Sequence, residues 1–307
     1  MDLSIVTTLY CSAPYVEEFY RRMSAAAQLV SSNYELIFVD DGSPDNSLDL
    51  ALSLYAADPR VRVIELSRNF GHHRAIITGL EHAKGDLVFL LDSDLEEAPE
   101  LLQRFYSEMQ ATGADVTYGV QRSRRGKLFE RISGALFYTA FNILSTVSIP
   151  ANSITARLMK TQYVRALVQH KDREICLSAL YTITGFRQAA IPVDKGHKGR
   201  TTYSLARRGT ALVDAITSFS NRPLVFIFYL GSIVVTVSMM AGLALIIRVV
   251  FFGSFLPGWA SLMVSLWFLG GLLIFCTGIV GIYLSRIFSE TKERPYTIIR
   301  QLHERSK

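Results

Sequence analysis

Two long segments near the carboxyl end of the chain contain no charged residue. Leu224–Ile247 and Ala260–Leu284 lack Asp, Glu, Lys and Arg, and each is longer than the roughly 20 residues that a helix needs to span a bilayer. Core helices of soluble proteins are rarely so long and so uniformly apolar. We therefore predict two transmembrane helices, joined by the short connection Arg248–Trp259.

Basic residues flank this apolar pair on both sides. The positive-inside rule predicts cytoplasmic flanks, which would place a multi-pass protein in the inner (plasma) membrane with its amino-terminal part in the cytoplasm. Such clusters bind anionic membranes or nucleic acid; the adjoining apolar segments favour the lipid bilayer, and we expect no nucleic-acid partner. The flanking residues are Arg200, Arg207, Arg208 and Arg222 on one side and Arg286, Lys292, Arg294, Arg300, Arg305 and Lys307 on the other.

The first 115 residues alternate strand-like and helix-like stretches. This rhythm predicts an α/β fold, with a mostly parallel sheet flanked by helices. Residues 134–149 are apolar but too short to span a bilayer; an interfacial helix and a core helix both fit them, and their apolar surface would allow a homo-oligomer. The predicted organisation is a cytosolic α/β domain at 1–200, a juxtamembrane amphipathic helix at 201–223, two transmembrane helices at 224–284 and a basic cytosolic tail at 285–307.

An acidic pair follows one apolar run. Asp92-Ser93-Asp94 comes directly after Leu87–Leu91, which predicts a buried strand, and parallel α/β sheets bind ligands beyond the carboxyl ends of their strands. Alternate residues can direct two carboxylates at one point, which suits a divalent cation shared with a diphosphate. The alternative is a solvated loop in which Asp94 caps a helix over Glu96–Met109.

A second acidic loop, Asp40-Asp41-Gly42-Ser43, closes an earlier predicted strand. A carboxylate there can accept hydrogen bonds from a nucleobase or ribose, and Gly42 allows close backbone approach. Alternatively, the segment is a turn in which Asp45 or Asn46 caps the next helix. Two acidic loops at the ends of successive parallel strands favour a nucleotide diphosphate site.

Seven short motifs lie along the predicted strands, helices and loops. They are Ser4-Ile5-Val6-Thr7, Val39-Asp40-Asp41-Gly42-Ser43, Arg68-Asn69-Phe70-Gly71, Thr78-Gly79-Leu80, Ala83-Lys84-Gly85-Asp86, Asp92-Ser93-Asp94-Leu95-Glu96 and Glu97-Ala98-Pro99-Glu100. Together they resemble family 2 glycosyltransferases with the GT-A fold, within that family dolichol-phosphate mannose synthases and bacterial polyprenyl-phosphate glycosyltransferases. The resemblance implies a membrane-bound, inverting hexosyltransferase that moves a sugar from a nucleotide-sugar to polyprenyl (undecaprenyl) phosphate in cell-envelope glycan assembly.

The same resemblance implies roles for particular residues. The donor would be bound by Asp40, Asp41, Gly42, Arg68, Lys198 and Arg200, and its diphosphate by Mg²⁺ or Mn²⁺ on Asp92, Asp94 and Glu96; Glu96 stands where relatives usually have Gln. The acceptor phosphate would be bound by Arg122, Arg124, Arg131 and Ser133. Among these residues we expect Asp94 and Arg131 to be catalytic.

One position departs from the family. Thr155 stands where many relatives carry an aspartate proposed as the catalytic base. A phosphate monoester, with a second pKa near 6, is mostly dianionic at neutral pH, so the acceptor needs positioning more than deprotonation. Two rival hypotheses are a glycan-extruding polysaccharide synthase, disfavoured because two spans cannot line a pore, and a catalytically inactive membrane scaffold, motivated by Thr155.

Overall fold

A computed structural model describes residues 1–121, 150, 152–172, 176–193, 222–252 and 258–305. Within these ranges, residues 1–193 and 294–305 belong to one compact unit, and residues 222–252 and 258–293 belong to a second.

The first unit is built on an eight-stranded sheet with the order β7-β5-β6-β4-β1-β2-β3-β8. Its strands are β1 (Leu3–Leu9), β2 (Tyr34–Asp40), β3 (Val61–Leu66), β4 (Leu87–Leu90), β5 (Val116–Gln121), β6 (Ser153–Lys160), β7 (Gln188–Val193) and β8 (Ile299–His303). Strands β1 to β4 are mutually parallel, as are β5 and β7, whereas β6 and β8 run antiparallel to their neighbours. The predicted fold class, a mostly parallel sheet flanked by helices, is confirmed.

Helices connect the strands and cover the sheet. They are α1 (Val16–Gln28), α2 (Ser47–Ala57), α3 (His72–Glu81), α4 (Leu101–Thr112), α5 (Thr161–Val168) and α6 (Leu177–Ile183). Every residue of β1 and β2 is buried, as expected of strands covered on both faces. Gly79 lets α3 pack tightly on the sheet, because a Cβ there would lie 2.5 Å from the Val6 side chain.

The structure corrects one predicted helix start. Glu96–Met109 was expected to be helical, but α4 begins at Leu101, so Asp94 does not cap it. Instead, Asp94 Oδ1 accepts a hydrogen bond from the N–H of Glu96 across 3.1 Å, within the loop itself. This short-range bond gives the backbone an alternative to a helix.

Part of the predicted basic tail belongs to the sheet. Strand β8 pairs antiparallel with β3, and a buried ion-pair network lies beside this edge. Arg62 contacts Glu35 and Glu304, each across 2.7 Å, and the Arg62 and Glu35 side chains are only 8% and 2% exposed. The sequence analysis missed this strand.

The second unit contains two long apolar helices, α7 (Arg222–Phe252) and α8 (Trp259–Thr291). Arg222–Ala241 and Ser265–Thr291 within them are long and apolar enough to cross a membrane. The predicted spans fall within these two helices. The juxtamembrane helix predicted at 201–223 lies outside the described residues as far as residue 221, and its last two residues belong to α7. The apolar segment at 134–149 also lies outside the described residues.

Candidate active site

The candidate site lies along one edge of the sheet. The carboxyl ends of β1 to β5 and the amino end of β6 meet there, because β6 runs antiparallel to β4 and β5. Both acidic loops predicted from the sequence leave the sheet at this edge, as expected for ligand sites of open α/β sheets.

The loop after β4 holds its central serine inward. Ser93 is 4% exposed, and its hydroxyl donates to the carbonyl oxygen of Thr8 across 2.9 Å. The neighbouring Asp92 and Asp94 are both partly exposed. The serine thus anchors the loop between two partly exposed carboxylates.

These carboxylates fit a divalent cation shared with a substrate. Mg²⁺ is usually bound by one or two carboxylates plus substrate phosphates and water, and Asp92 and Asp94 supply two accessible carboxylates. Among the described residues, no three or more His, Cys, Asp or Glu side chains form a metal-binding group. Asp92, Asp94 and Glu96 thus do not form a complete protein ligand set, and the metal role of Glu96 stays a prediction.

His72 lies beside the acidic loop, a position that the sequence analysis did not assign to it. Its Nε2 atom is 3.4 Å from Asp92 Oδ1, and its Nδ1 atom is 3.0 Å from the Thr8 hydroxyl. His72 is the first residue of α3 and directly follows the motif Arg68-Asn69-Phe70-Gly71. Its place after this motif was the sequence signal that could have indicated a position near the site. His72 can orient the Asp92 carboxylate.

Asp40, at the end of β2, is 2% exposed. Its Oδ2 atom accepts a hydrogen bond from the N–H of Ser43 across 3.3 Å, whereas its buried Oδ1 has no hydrogen-bond partner in the described part of the chain. Burial raises the pKa of Asp40, because desolvation disfavours the charged form. The Asp40 carboxyl therefore lies buried at the edge where both acidic loops leave the sheet, with one oxygen that has no hydrogen-bond partner among the described residues.

Asp41 has a structural role. Its two carboxylate oxygens accept the N–H groups of Phe70 and Gly71, at 2.7 and 3.0 Å. Burial raises the pKa of Asp41, and these two hydrogen bonds oppose that rise. The two acidic residues thus differ in role: Asp41 holds the loop after β3, and Asp40 keeps a buried acceptor open.

Gly42 allows the two loops to touch. Its φ is +65°, and a Cβ there would lie 2.6 Å from the backbone of Arg68 and Asn69. The close approach predicted at this glycine is therefore made by the chain's own backbone. Arg68 is exposed, and its guanidinium stacks 4.3 Å from the centre of the Phe70 ring.

The remaining predicted site residues lie outside the described residues. They are Lys198 and Arg200 for the donor, and Arg122, Arg124, Arg131 and Ser133 for the acceptor phosphate.

A half-open cavity of about 250 Å³ adjoins the acidic loop. His72, Thr155, Arg157 and Tyr181 are among its lining residues. Arg157 is 3% exposed, and its guanidinium carbon lies 3.2 Å from the centre of the Tyr181 ring. The sequence analysis assigned a role to neither residue, although Arg157 lies two positions after Thr155 in the segment that departs from the family.

The comparison with protein families identifies the chain. Residues 4–168 match the model of glycosyl transferase family 2. The chain belongs to glycosyl transferase family 2. This match covers the strands that carry both acidic loops.

Two relatives extend this glycosyltransferase similarity over almost the whole chain. A Mycobacterium tuberculosis protein described as a glycosyltransferase is 54% identical over 303 residues, covering 99% of this chain and 89% of that protein. A prophage bactoprenol glucosyl transferase homolog of Escherichia coli is 30% identical over 306 residues, covering 98% and 99% of the two chains. The similarity thus includes the region of the two apolar helices.

Proposed function

We propose that this family 2 glycosyltransferase transfers a sugar from a nucleotide-sugar to polyprenyl phosphate, with undecaprenyl phosphate as the acceptor. The observation that carries the proposal is the end-to-end similarity to a bactoprenol glucosyl transferase homolog. It spans the catalytic unit as well as the two apolar helices, so the similarity is not confined to a shared donor-binding domain.

The donor is bound between the two acidic loops. The Asp40 carboxylate would accept a hydrogen bond from the nucleoside, and Asp92 and Asp94 would hold Mg²⁺ or Mn²⁺. When bound, the cation neutralises charge on the departing nucleoside diphosphate. Asp41 supports this site indirectly by holding the loop that contains Phe70.

The reaction is a direct displacement at the anomeric carbon of the sugar. A phosphate oxygen of the lipid forms the new carbon–oxygen bond, while the bond to the nucleoside diphosphate breaks and its electron pair leaves with that group. The anomeric configuration inverts. Because the lipid phosphate is mostly dianionic at neutral pH, Thr155 in place of a carboxylate is compatible with this chemistry.

The two apolar helices would cross the membrane as a hairpin. Both flanks are rich in arginine and lysine, so the positive-inside rule places them in the cytoplasm. The catalytic unit then faces the cytoplasmic pool of nucleotide-sugars.

A second hypothesis is a catalytically inactive scaffold in a glycan-assembly complex. Thr155 is the observation that favours it, because threonine cannot act as a carboxylate base. The two hypotheses differ in donor binding, since a scaffold has no need to bind nucleoside diphosphates.

Transfer by the detergent-purified full-length chain tests the proposal. Radiolabelled UDP-, GDP- and dTDP-sugars are incubated with undecaprenyl phosphate and Mg²⁺ or Mn²⁺, and label is counted in the organic phase. We expect label from one donor, with loss of at least 100-fold in Asp94→Asn, in line with the several kcal/mol that a bound cation supplies. Asp49→Asn makes the same chemical change on the exposed face of α2 and should retain activity.

Two results would count against this assignment. Full metal-dependent transfer by Asp94→Asn would remove the acidic loop from the mechanism. A folded protein that transfers none of the sugars and binds no nucleoside diphosphate would favour the scaffold.

A further inference from the structure

The cavity beside the acidic loop has a positively charged lining. Arg157 contributes a full positive charge, and His72 and His73 also line the cavity. None of the described lining residues is an aspartate or a glutamate. The remaining polar lining of the cavity consists of hydroxyl and amide side chains, which can donate hydrogen bonds to an anion.

Arg157 is buried without a carboxylate partner. Its Nε and Nη2 atoms donate to the backbone oxygens of Thr155 and Ile154, both at 3.3 Å, and its side chain also interacts with the Tyr163 hydroxyl. No ion pair joins Arg157 to any carboxylate in the described part of the chain. Arginine does not lose its proton in proteins, and a buried charge without a counter-ion is unfavourable. Its five N–H donors match the oxygens of a carboxylate or phosphate group.

Tyr181 adds a second unused donor. Its side chain stacks on the Arg157 guanidinium, and its buried hydroxyl has no hydrogen-bond partner among the described residues. Burial raises the pKa of Tyr181, so the hydroxyl keeps its proton at neutral pH. The Tyr181 hydroxyl thus lacks a hydrogen-bond partner among the described residues, and Tyr181 and Arg157 line the same cavity.

The position of Arg157 links this cavity to the transfer chemistry. In the sheet, Arg157 pairs with Leu90, which lies two residues before Asp92. His72 lines the same cavity and is 3.4 Å from the Asp92 carboxylate. An anion held by Arg157 would therefore lie beside the site proposed for the donor diphosphate.

We propose that Arg157 and the hydroxyl of Tyr181 form a phosphate-binding site for a substrate of the proposed transfer reaction. The inference rests on the proposed function for the identity of its two candidate sources, the lipid phosphate and the donor diphosphate. Both offer the same chemistry, a phosphate oxyanion that accepts charge-assisted hydrogen bonds.

Binding to detergent-purified full-length variants tests this site. The probes are inorganic phosphate, a panel of UDP, GDP and dTDP with Mg²⁺, and undecaprenyl phosphate in micelles, each titrated by calorimetry. We expect Arg157→Gln to weaken at least one of these ligands by about 10- to 100-fold, because charge-assisted hydrogen bonds are lost. Arg157→Lys, which keeps the charge, should restore part of that loss. Arg165→Gln removes an exposed arginine from α5 and should bind as the wild type does.

A second pair of variants avoids dependence on the folding of Arg157→Gln. Thr155 and Arg157 both line the cavity. Thr155→Asp therefore places a competing carboxylate beside Arg157, whereas Thr155→Asn makes a change of similar size without charge. We expect inorganic phosphate to bind about 10-fold or more weakly to Thr155→Asp than to Thr155→Asn. The melting temperature of Thr155→Asp should be no lower than that of Thr155→Asn.

The ligand that is weakened identifies the source. A loss confined to undecaprenyl phosphate assigns the site to the acceptor, and a loss confined to the nucleoside diphosphates assigns it to the donor. The inference is overturned if folded Arg157→Gln and Thr155→Asp bind every probe as the wild type does, or if the wild type binds none of them.

The proposed function can fail separately. If the wild type binds phosphate or a nucleoside diphosphate through Arg157 but forms no glycolipid, the transfer assignment fails and the phosphate site stands. If glycolipid forms and Arg157→Gln binds every probe as tightly as the wild type does, the phosphate site fails and the transfer assignment stands.

Discussion

The Glu97 carboxylate accepts a hydrogen bond from the backbone N–H of Ala156 across 2.8 Å. Glu97 is 2% exposed, so the bond is shielded from water. It joins the loop that contains Asp92 and Asp94 to the strand that carries Arg157. This buried contact supplements the pairing of β4 with β6 in joining the acidic loop to the strand that lines the cavity.

Removal of this contact should affect both stability and donor binding. In Glu97→Ala the N–H of Ala156 is left buried without its acceptor, which costs about 1–3 kcal/mol. We expect a lower melting temperature and weaker nucleoside diphosphate binding, both measured on the detergent-solubilised chain. Glu108→Ala, on the exposed face of α4, should change neither. Unaltered stability in Glu97→Ala would contradict a structural role for the bond.

The neutral form of the Asp40 carboxyl should favour the folded chain, whereas its charged form should bind the donor. Its pKa is raised by burial, so the charged form is disfavoured in the folded chain. The penalty is absent below the unfolded-state pKa of about 3.9 and is complete once the pH exceeds the higher folded-state pKa. We therefore expect Asp40→Asn to melt at a higher temperature than the wild type at pH 7, with a gain that shrinks as the pH falls.

The same Asp40→Asn variant should bind nucleoside diphosphates more weakly, because an amide oxygen is a poorer acceptor than a carboxylate. Calorimetry with UDP, GDP and dTDP measures this loss. Wild-type affinity for every nucleotide would remove Asp40 from the donor site, even if the stability gain is observed.

Gly42 should tolerate no side chain. In Gly42→Ala, the positive φ and the contact with the Arg68–Asn69 backbone together should cost about 2 kcal/mol or more. Gly113 has the same φ of +65°, but its nearest atom beyond its own neighbours is a side-chain nitrogen of Arg187 at 3.9 Å. Gly113→Ala therefore isolates the backbone strain alone. Equal losses of melting temperature in the two variants would show that the close approach at Gly42 contributes nothing.

Removal of only one member of the buried Arg62–Glu35 ion pair should destabilise the folded chain. Arg62→Met leaves the buried Glu35 carboxylate without its ion-pair partner, a change that typically costs about 3–5 kcal/mol. The double variant Glu35→Gln/Arg62→Met removes both charges and should recover much of that loss. Arg21→Met, which breaks an exposed pair with Glu18, should leave the melting temperature nearly unchanged, because exposed ion pairs contribute little to stability. A double variant no more stable than Arg62→Met would exclude the stranded charge as the cause.

The first part of the fold was predictable because its signals are local. Leu87–Leu91 is a short apolar run followed by acidic residues, and its strand and loop were both expected. Strand β8 was missed because Ile299–His303 mixes apolar with basic and polar residues. Its place is set by pairing with β3, more than 200 residues earlier in the sequence.

The site was predictable in its acidic loops and not in its cavity. Asp40 and Asp41 are adjacent in sequence, and only their hydrogen bonds distinguish the open acceptor from the structural one. Arg157 stands in a strand whose pattern carries no sign that the arginine is buried. Its surroundings come from α3, β6 and α6, which are brought together by the tertiary fold alone.

The bond formed in the reaction provides the most direct test of the central claim. ³¹P NMR of undecaprenyl phosphate, incubated with the purified chain, Mg²⁺ and the donor selected from the panel, reports the state of the lipid phosphate. The proposal predicts that the monoester resonance is replaced by a sugar phosphodiester resonance, together with release of nucleoside diphosphate. Release of nucleoside diphosphate and free sugar with an unchanged lipid resonance would contradict it.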